Sequence, residues 1–430
     1  MRKNKASDMT PFDTAQRPCR QNPLLMPLIW TASRIMTLGR LKIRKLGIKK
    51  LRPPFLVLSV HQSFQDYYIT PYSLFPRRAN YVSDIEGFAN YGKWLYRQIG
   101  CMAVRKYTRD TALIRNIQYA VNDKRIVVIF PEARHSIVGT NTKLPDSVGK
   151  LVKRLKIPVV VQKLNGSYLA QPAWDEFHSR KVPMRCTLEK VFDAAEIETL
   201  SAAEITACLN EHFRYDEYNW QYTQKIRIGY KKRAEGLHRA LYLCPSCGAE
   251  KMGSRESILF CRACGKEWTM DEFGRLSAAD GGTGFSHIPD WYEYQRGILE
   301  TQILKPGYAL DLGVTVKAIP NEKGFVSLGE GRLLHRADGF ELTFEDGKKT
   351  LLFQTAALPS VHIEYNFHGT GDCIVLSTRN CCYYLYPHEN EPSVTRIMLA
   401  GEILYDRLAC QQRYPESQQT ACEIQAPDDE

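Results

Sequence analysis

The stretch 55-FLVLSVHQSFQDYYIT-70 begins as an unbroken apolar run and then sets a histidine and an aspartate five residues apart. Residues 55–60 read as a buried strand. On a regular helix, positions five apart diverge by about 140°. His61 and Asp66 therefore meet only if the strand ends at His61 and Asp66 opens the next helix. So joined, the histidine is a general base near neutral pH, and the aspartate accepts from its other ring nitrogen, fixing the tautomer and raising its basicity. This is the logic of a Ser-His-Asp triad without a protein serine, so the nucleophile is a hydroxyl of the substrate. A helix-capping aspartate beside a polar strand-edge histidine accounts for the same spacing, so the pair needs its surroundings.

Outward from this stretch, strands and helices alternate. Residues 80–100 read as a short strand and a helix, and 101-CMAVRK-106 as another strand. Residues 108–123 follow a helical period through Leu113, Ile114, Ile117 and Val121, with Thr108 as the expected N-cap. Then 125-RIVVIFPEA-133 is a strand ending at a proline, 148–156 a basic helix and 157-IPVVVQKL-164 a strand. A strand near 183–192 and a helix over 201–215 complete the unit. The order predicts an α/β fold, a mostly parallel sheet flanked by helices, with chemistry gathered beyond the strand ends. Those ends carry Arg105 and Lys106, then 130-FPEARHS-136 with Glu132, Arg134 and His135, then Pro158 of the Ile-Pro-Val turn.

With these blocks in this order, residues 20–220 resemble the glycerolipid acyltransferase family, whose members include lysophosphatidic acid acyltransferases. The resemblance rests on His-x4-Asp at 61/66, the Gly100-to-Arg105 block, Phe-Pro-Glu at 130–132 and Ile-Pro-Val at 157–159. It implies transfer of a fatty acyl group from a thioester donor, acyl-CoA or acyl carrier protein, to the free hydroxyl of a lysophospholipid. The expected reaction turns 1-acylglycerol-3-phosphate into phosphatidic acid. It implies His61 as the base, Asp66 as its orienting partner, Arg105 as the acceptor-phosphate ligand, Glu132 as an acceptor-binding carboxylate, and Lys106, Arg134 and His135 as further substrate-binding residues. The third block departs from the family pattern: its Gly, Thr and Arg are here Ala133, Arg134 and His135. Ala133 restricts a position where glycine allows positive φ. Either Arg134 swings in to replace the missing arginine, or the acceptor is less charged.

The chain has 430 residues, 44% hydrophobic and 24% charged, a globular composition with room for several domains. Its net charge of +11 is local: residues 1–55 hold 13 Lys or Arg against Asp8 and Asp13. Within them, 23-PLLMPLIWTASRIMTLGRL-41 is apolar but interrupted by Pro27 and Arg34. It falls short of the ~20 apolar residues of a membrane span, and no small-residue cleavage site follows it. Residues 1–54 are expected to be a basic amphipathic segment lying in a membrane interface; a first core helix with a solvated basic neck is the alternative. The acyltransferase domain is placed at 55–225, cytoplasmic and peripheral on the inner membrane face, in keeping with scattered cysteines and a reducing compartment.

After a basic linker at 225–233, residues 241–270 hold 244-CPSCGAEKMGSRESILFCRACGKEW-268. Two C-x2-C knuckles, Cys244/Cys247 and Cys261/Cys264, suit a structural Zn2+ in a ribbon with no open coordination position. No concentrated basic, aromatic face accompanies them, so no nucleic-acid partner is expected. A Gly-rich joint at 276–287 leads to a β-rich domain over 298–412, expected as a small sandwich or barrel capped by a helix over 393–410. By analogy alone its order resembles a pleckstrin-homology-like barrel. The tail after 415 reads as disordered. A second reading makes the chain a non-catalytic adaptor, with the ribbon and β-rich domain binding a protein or nucleic-acid partner.

Overall fold

The computed structural model describes residues 8–413 except 38, 109, 283 and 389–391. The acidic tail, Cys422, Arg2, Lys3 and Lys5 lie outside the described residues.

The first unit runs α1 (Met26–Thr37), β1 (Leu41–Leu46), β2 (Phe55–Ser59), α2 (Asp66–Leu74), β3 (Ala79–Asp84), α3 (Ile85–Tyr91), α4 (Lys93–Gln98), β4 (Cys101–Val104), α5 (Thr111–Asn122), β5 (Ile126–Ile129), α6 (Asp146–Leu155) and β6 (Val159–Asn165). It closes with α7 (Ser167–Ala170), β7 (Met184–Phe192), α8 (Ala194–Thr199), α9 (Ala202–Phe213) and α10 (Glu217–Thr223). Its seven strands lie in the order β1-β7-β6-β2-β5-β3-β4. The pairs of β2 with β5 and β6, and of β3 with β4 and β5, are parallel; β7 runs antiparallel to β6 and parallel to β1. FLVLS of β2 is buried throughout, as is the VVV of β6, which is how strands covered on both faces read. The mostly parallel α/β sheet is therefore as expected.

The N-cap of α5 is Asp110, which accepts from the amides of Ala112 and Leu113; the Thr108 hydroxyl donates instead to the Arg105 carbonyl. The domain also begins earlier than expected. Leu41–Leu46 pairs along its length with β7 as an edge strand, and the alternating basic residues of LKIRKL hid it. Residues 8–25, the described part before α1, pack on the fold. Phe12 is buried in an interdomain cluster with Phe88, and its amide donates to the Pro320 carbonyl. Gln21 bridges the Ala79 amide and the Ile99 carbonyl.

The expected basic linker is a strap. The Ile228 amide donates to the Glu272 carbonyl, Arg233 to the Met270 carbonyl, and Arg227 pairs with Glu272. The cysteine module forms a four-stranded antiparallel sheet of β8 (Met252–Arg255), β9 (Ile258–Cys261), β10 (Glu267–Met270) and β11 (Leu276–Ala278). Part of the predicted Gly-rich joint is thus its edge strand. Next comes α11 (Ile288–Ile303), which sequence reading missed. Ile288, Trp291, Tyr292, Leu299 and Ile303 recur at helical spacing and are buried, and Pro289 sits in the first turn. Trp291 stacks edge-on to Trp268 of β10 at 4.9 Å, and Gln295 bonds the Ala240 carbonyl and the Tyr242 amide. α11 therefore fastens the ribbon.

The C-terminal domain starts at Ala309. Its strands are β12 (Ala309–Ile319), β13 (Val326–Arg336), β14 (Gly339–Phe344), β15 (Lys349–Gln354), β16 (His362–Glu364), β17 (Cys373–Ser377) and β18 (Cys382–Pro387), followed by α12 (Val394–Arg413). They form one antiparallel sheet in the order β15-β14-β13-β12-β18-β17-β16. Neighbours are sequential except where the first strand meets the last. α12 buries Ile397, Met398, Ile403 and Leu404. The β-rich domain with a final helix is as expected, and it packs directly on the first unit through Ile85, Phe88, Ile319, Phe325 and Tyr384.

Candidate active site

The register of the central strands sets the site. Leu58 of β2 pairs with Ile129 of β5 and with Val161 of β6, all parallel. Residues two or three beyond these ends come out level, so His61 and Glu132 emerge side by side. The His61 amide donates to Glu132 Oε2 at 3.0 Å. Oε1 of Glu132 accepts from the amide and hydroxyl of Thr142 at 2.9 and 3.3 Å. Burial pushes the Glu132 carboxyl up to about 7, against these hydrogen bonds, which lower it.

His61 and Asp66 meet as the spacing required. His61 Nδ1 lies 3.1 Å from Asp66 Oδ2, with α2 starting at Asp66. Oδ2 also accepts from the amides of Gln62 and Ser63 at 2.6 and 3.1 Å, and Oδ1 from the Ser167 hydroxyl at 2.5 Å. Asp66 is wholly buried. Such a carboxylate holds the imidazole with Nδ1 carrying its proton, leaving Nε2 as the basic nitrogen. Ser167 and Ser63, which bond each other at 2.9 Å, were not found by sequence reading. Ser167 lies beyond the end of β6, about a hundred residues from Asp66, and no local motif marks it.

The walls around His61 are rings. Phe130 lies 4.5 Å from His61 between centroids, His135 4.2 Å and Tyr67 5.8 Å. Phe64 and Phe177 close on His135 at 5.1 Å each. Phe64 and Tyr67 are both 41% exposed, so the aromatic wall opens to the surface. This wall, too, had no sequence signal beyond composition.

Ala133 takes the left-handed conformation, φ 57°, in place of the expected glycine. Its two successors then diverge. His135 turns to His61, with burial foremost and His61 next holding its pKa well below the usual value, and its Nε2 has no partner among the described residues. Arg134 turns away and pairs with Glu402 of α12 at 3.0 Å, where Ser360 also donates at 2.6 Å. Arg134 thus does not swing in beside the base.

The cations of the second block are also engaged. Arg105 is 4% exposed; it donates to the Arg379 carbonyl at 2.7 Å and to the Phe12 and Pro320 carbonyls at 3.3 Å. Lys106 pairs with Asp84 at 3.3 Å and reaches His362 Nε2 at 3.0 Å, with His362 bonded in turn to Glu364 at 2.8 Å. Burial lowers the Lys106 pKa, but Asp84 and Glu364 outweigh it and the net direction is up. Tyr384 donates to Glu86 beside them, and burial followed by Asp84 pushes the Glu86 carboxyl up to about 8. The structure therefore brings together His61, Asp66, Glu132 and His135, and spends Arg105, Lys106 and Arg134 on contacts to the C-terminal domain.

In the ribbon, Cys244, Cys247, Cys261 and Cys264 place their sulfurs within 4.8 Å of one another. Two of the separations are 3.8 and 3.7 Å. A tetrahedron with metal–sulfur bonds of about 2.3 Å has edges of about 3.8 Å, so the set fits a bound metal ion. Gly248 and Gly265, with φ 72° and 74°, turn each knuckle.

No curated protein matches the chain. Among solved structures it is similar to the 1-acyl-sn-glycerophosphate (LPA) acyltransferase PlsC from Thermotoga maritima, at 18% identity and a TM-score of 0.38, over 44% of this chain and 76% of that one. Residues 41–161, which span β1 through the first residues of β6 and include His61, Asp66, Arg105, Glu132 and His135, match the family model Acyltransferase.

Proposed function

We propose that the chain transfers a fatty acyl group from a thioester donor, acyl-CoA or acyl carrier protein, to the free hydroxyl of a lipid acceptor in glycerolipid synthesis. The observation that carries this reading is the His61–Asp66 pair, buried at the end of a central parallel strand inside the matched domain. His61 Nε2 removes the acceptor proton, the oxygen attacks the thioester carbonyl, and the C–S bond breaks. The departing thiolate takes the proton from His61. Asp66 stabilises the imidazolium formed on the way, and Glu132 fixes the strand end from which His61 projects.

The acceptor expected from sequence, 1-acylglycerol-3-phosphate, calls for Arg105 as phosphate ligand, with Lys106 and Arg134 as further substrate-binding cations. Their engagement elsewhere makes the acceptor's headgroup the open part of the proposal. The test of the reaction is acyl-CoA consumption and label transfer to a panel of lysolipids and acylglycerols, wild type beside His61→Ala. Transfer lost in the variant with unchanged circular dichroism supports it; equal transfer by both proteins removes the base.

Lipid access is by a membrane surface. No described helix is long and apolar enough to cross a membrane. Leu28, Ile35 and Met36 of α1 are exposed, with Arg34 and Arg40 nearby, and such a face suits an interfacial helix at the inner membrane surface. The ion suited to the ribbon is a structural Zn2+, because four thiolates with no water-held position favour it. The C-terminal domain, in its seven-strand order with a closing helix, is pleckstrin-homology-like by analogy.

A further inference from the structure

We propose that the acceptor at His61 is an uncharged lipid alcohol, such as an acylglycerol, and that the C-terminal domain sets this preference by holding the site's cations away. The inference rests on the reading of His61 as the base that deprotonates a lipid hydroxyl.

A phosphate monoester carries about −1.5 to −2 charges and three acceptor oxygens. A site for it needs cationic donors with open valence beside the reacting hydroxyl. Three cations stand at the strand ends around His61, and each is bound from elements remote in sequence. Arg134 is neutralised by Glu402 of α12, itself held by Ser360 and by Arg296 at 3.4 Å. Both terminal nitrogens of Arg105 donate to carbonyls, one of them at Arg379 in the β17–β18 turn, while Nε of Arg105 and Nε of Arg134 are buried without a partner among the described residues. Lys106 is set in the Asp84–His362–Glu364 cluster. Arg105 and Arg134 are buried and the Lys106 side chain is 18% exposed, and freeing any of them leaves a carboxylate or carbonyls without that partner.

What remains facing His61 is neutral or negative. Asp66 and Glu132 flank it, and rings of Phe64, Tyr67, Phe130 and His135 wall it. A dianion beside two buried carboxyls meets repulsion and no counterion. A neutral alcohol meets aromatic surface and the unpartnered Nε2 of His135, a residue 7% exposed. That nitrogen suits a second hydroxyl of an acylglycerol. The half-exposed Phe64 and Tyr67 give such a lipid an apolar route from a membrane surface.

The test uses the full chain with palmitoyl-CoA and two acceptors of equal chain length in the same mixed micelles, monoacylglycerol and lysophosphatidic acid. The expected result is His61-dependent transfer to monoacylglycerol, with kcat/KM for lysophosphatidic acid at least 100-fold lower. Glu402→Gln, which uncouples Arg134, is expected to raise the lysophosphatidic acid rate at least tenfold. Equal or faster transfer to lysophosphatidic acid by the wild type overturns the proposal. Binding of each acceptor without donor, followed by isothermal titration, separates recognition from chemistry. Tighter binding of monoacylglycerol with no transfer to either acceptor leaves the recognition standing and removes the acyltransfer reading. Tighter binding of lysophosphatidic acid, or no binding of monoacylglycerol, overturns the inference whatever the rates.

Discussion

Asp66→Asn removes one charge and almost no volume, and its effect follows from the donors around it. Four donors converge on the carboxylate: His61 Nδ1, the amides of Gln62 and Ser63, and the Ser167 hydroxyl. Whichever way an asparagine amide is turned, its NH2 faces at least one of them. Nδ1 lies 3.1 Å from Oδ2, so an imidazolium there is held by ~5 kcal/mol at an effective dielectric constant near 20. At about 1.4 kcal/mol per tenfold, the loss is bounded near 10⁴-fold. It lies at the upper end of the roughly 10²–10⁴-fold that a positioned base contributes. The expected outcome is a fall in kcat of about 10³-fold, with KM for the acyl donor little changed. The unmatched donor also costs about 1–3 kcal/mol of stability, which urea unfolding reads independently. Ser167→Ala keeps the charge and drops one hydrogen bond, so its kcat should fall by only about tenfold. The assay is radiolabelled acyl transfer at saturating donor. An Asp66→Asn protein of native circular dichroism working within tenfold of wild type would refute the catalytic role of the pairing.

Glu132, raised by burial from 4.5 to about 7, holds a proton in the folded state that the unfolded chain has already released in that interval. Its contribution is therefore full below about pH 4.5 and is lost as pH rises through about 7, by about 3 kcal/mol. Glu132→Gln should flatten that part of the urea-unfolding pH profile; parallel profiles for variant and wild type would contradict the burial argument. Removing metal with a chelator, or Cys261→Ser, should raise hydrogen exchange over residues 241–278 while the amides of Phe55–Ser59 and Ile126–Ile129 stay protected. Loss of protection in both regions would make the ribbon part of the first unit's core. Leu28→Ser with Ile35→Ser removes two exposed apolar side chains from α1, each worth about 1.5–3 kcal/mol if buried in lipid. Cosedimentation with anionic vesicles should weaken at least tenfold, and unchanged binding would move the membrane contact off this helix.

The local chemistry of the chain was legible wherever neighbours in sequence are neighbours in space. FLVLS, IVVI and VVV read as strands covered on both faces because nearly continuous apolar runs have no polar side to turn to water. The two C-x2-C knuckles announced a metal cluster because glycine and short spacing close each turn locally. His61 and Asp66 were readable as a pair because one strand end and one helix start join them. β1 and α11 were harder. The basic residues of LKIRKL mask an edge strand, and a tyrosine-rich helix next to a Gly-rich loop looks like more loop, although its buried positions keep a helical period.

What tertiary structure alone decided is where the charges go. In sequence, Arg105, Lys106 and Arg134 stand at strand ends beside a candidate base and look free. In the fold, their partners arrive from Arg379, His362 and Glu402, more than 250 residues later. A buried cation must be matched, and the C-terminal domain supplies the match when it packs on the strand ends. The same packing selected His135 over Arg134 to face His61. No periodicity or motif encodes such a choice, because it depends on which surfaces of two separately patterned domains come together.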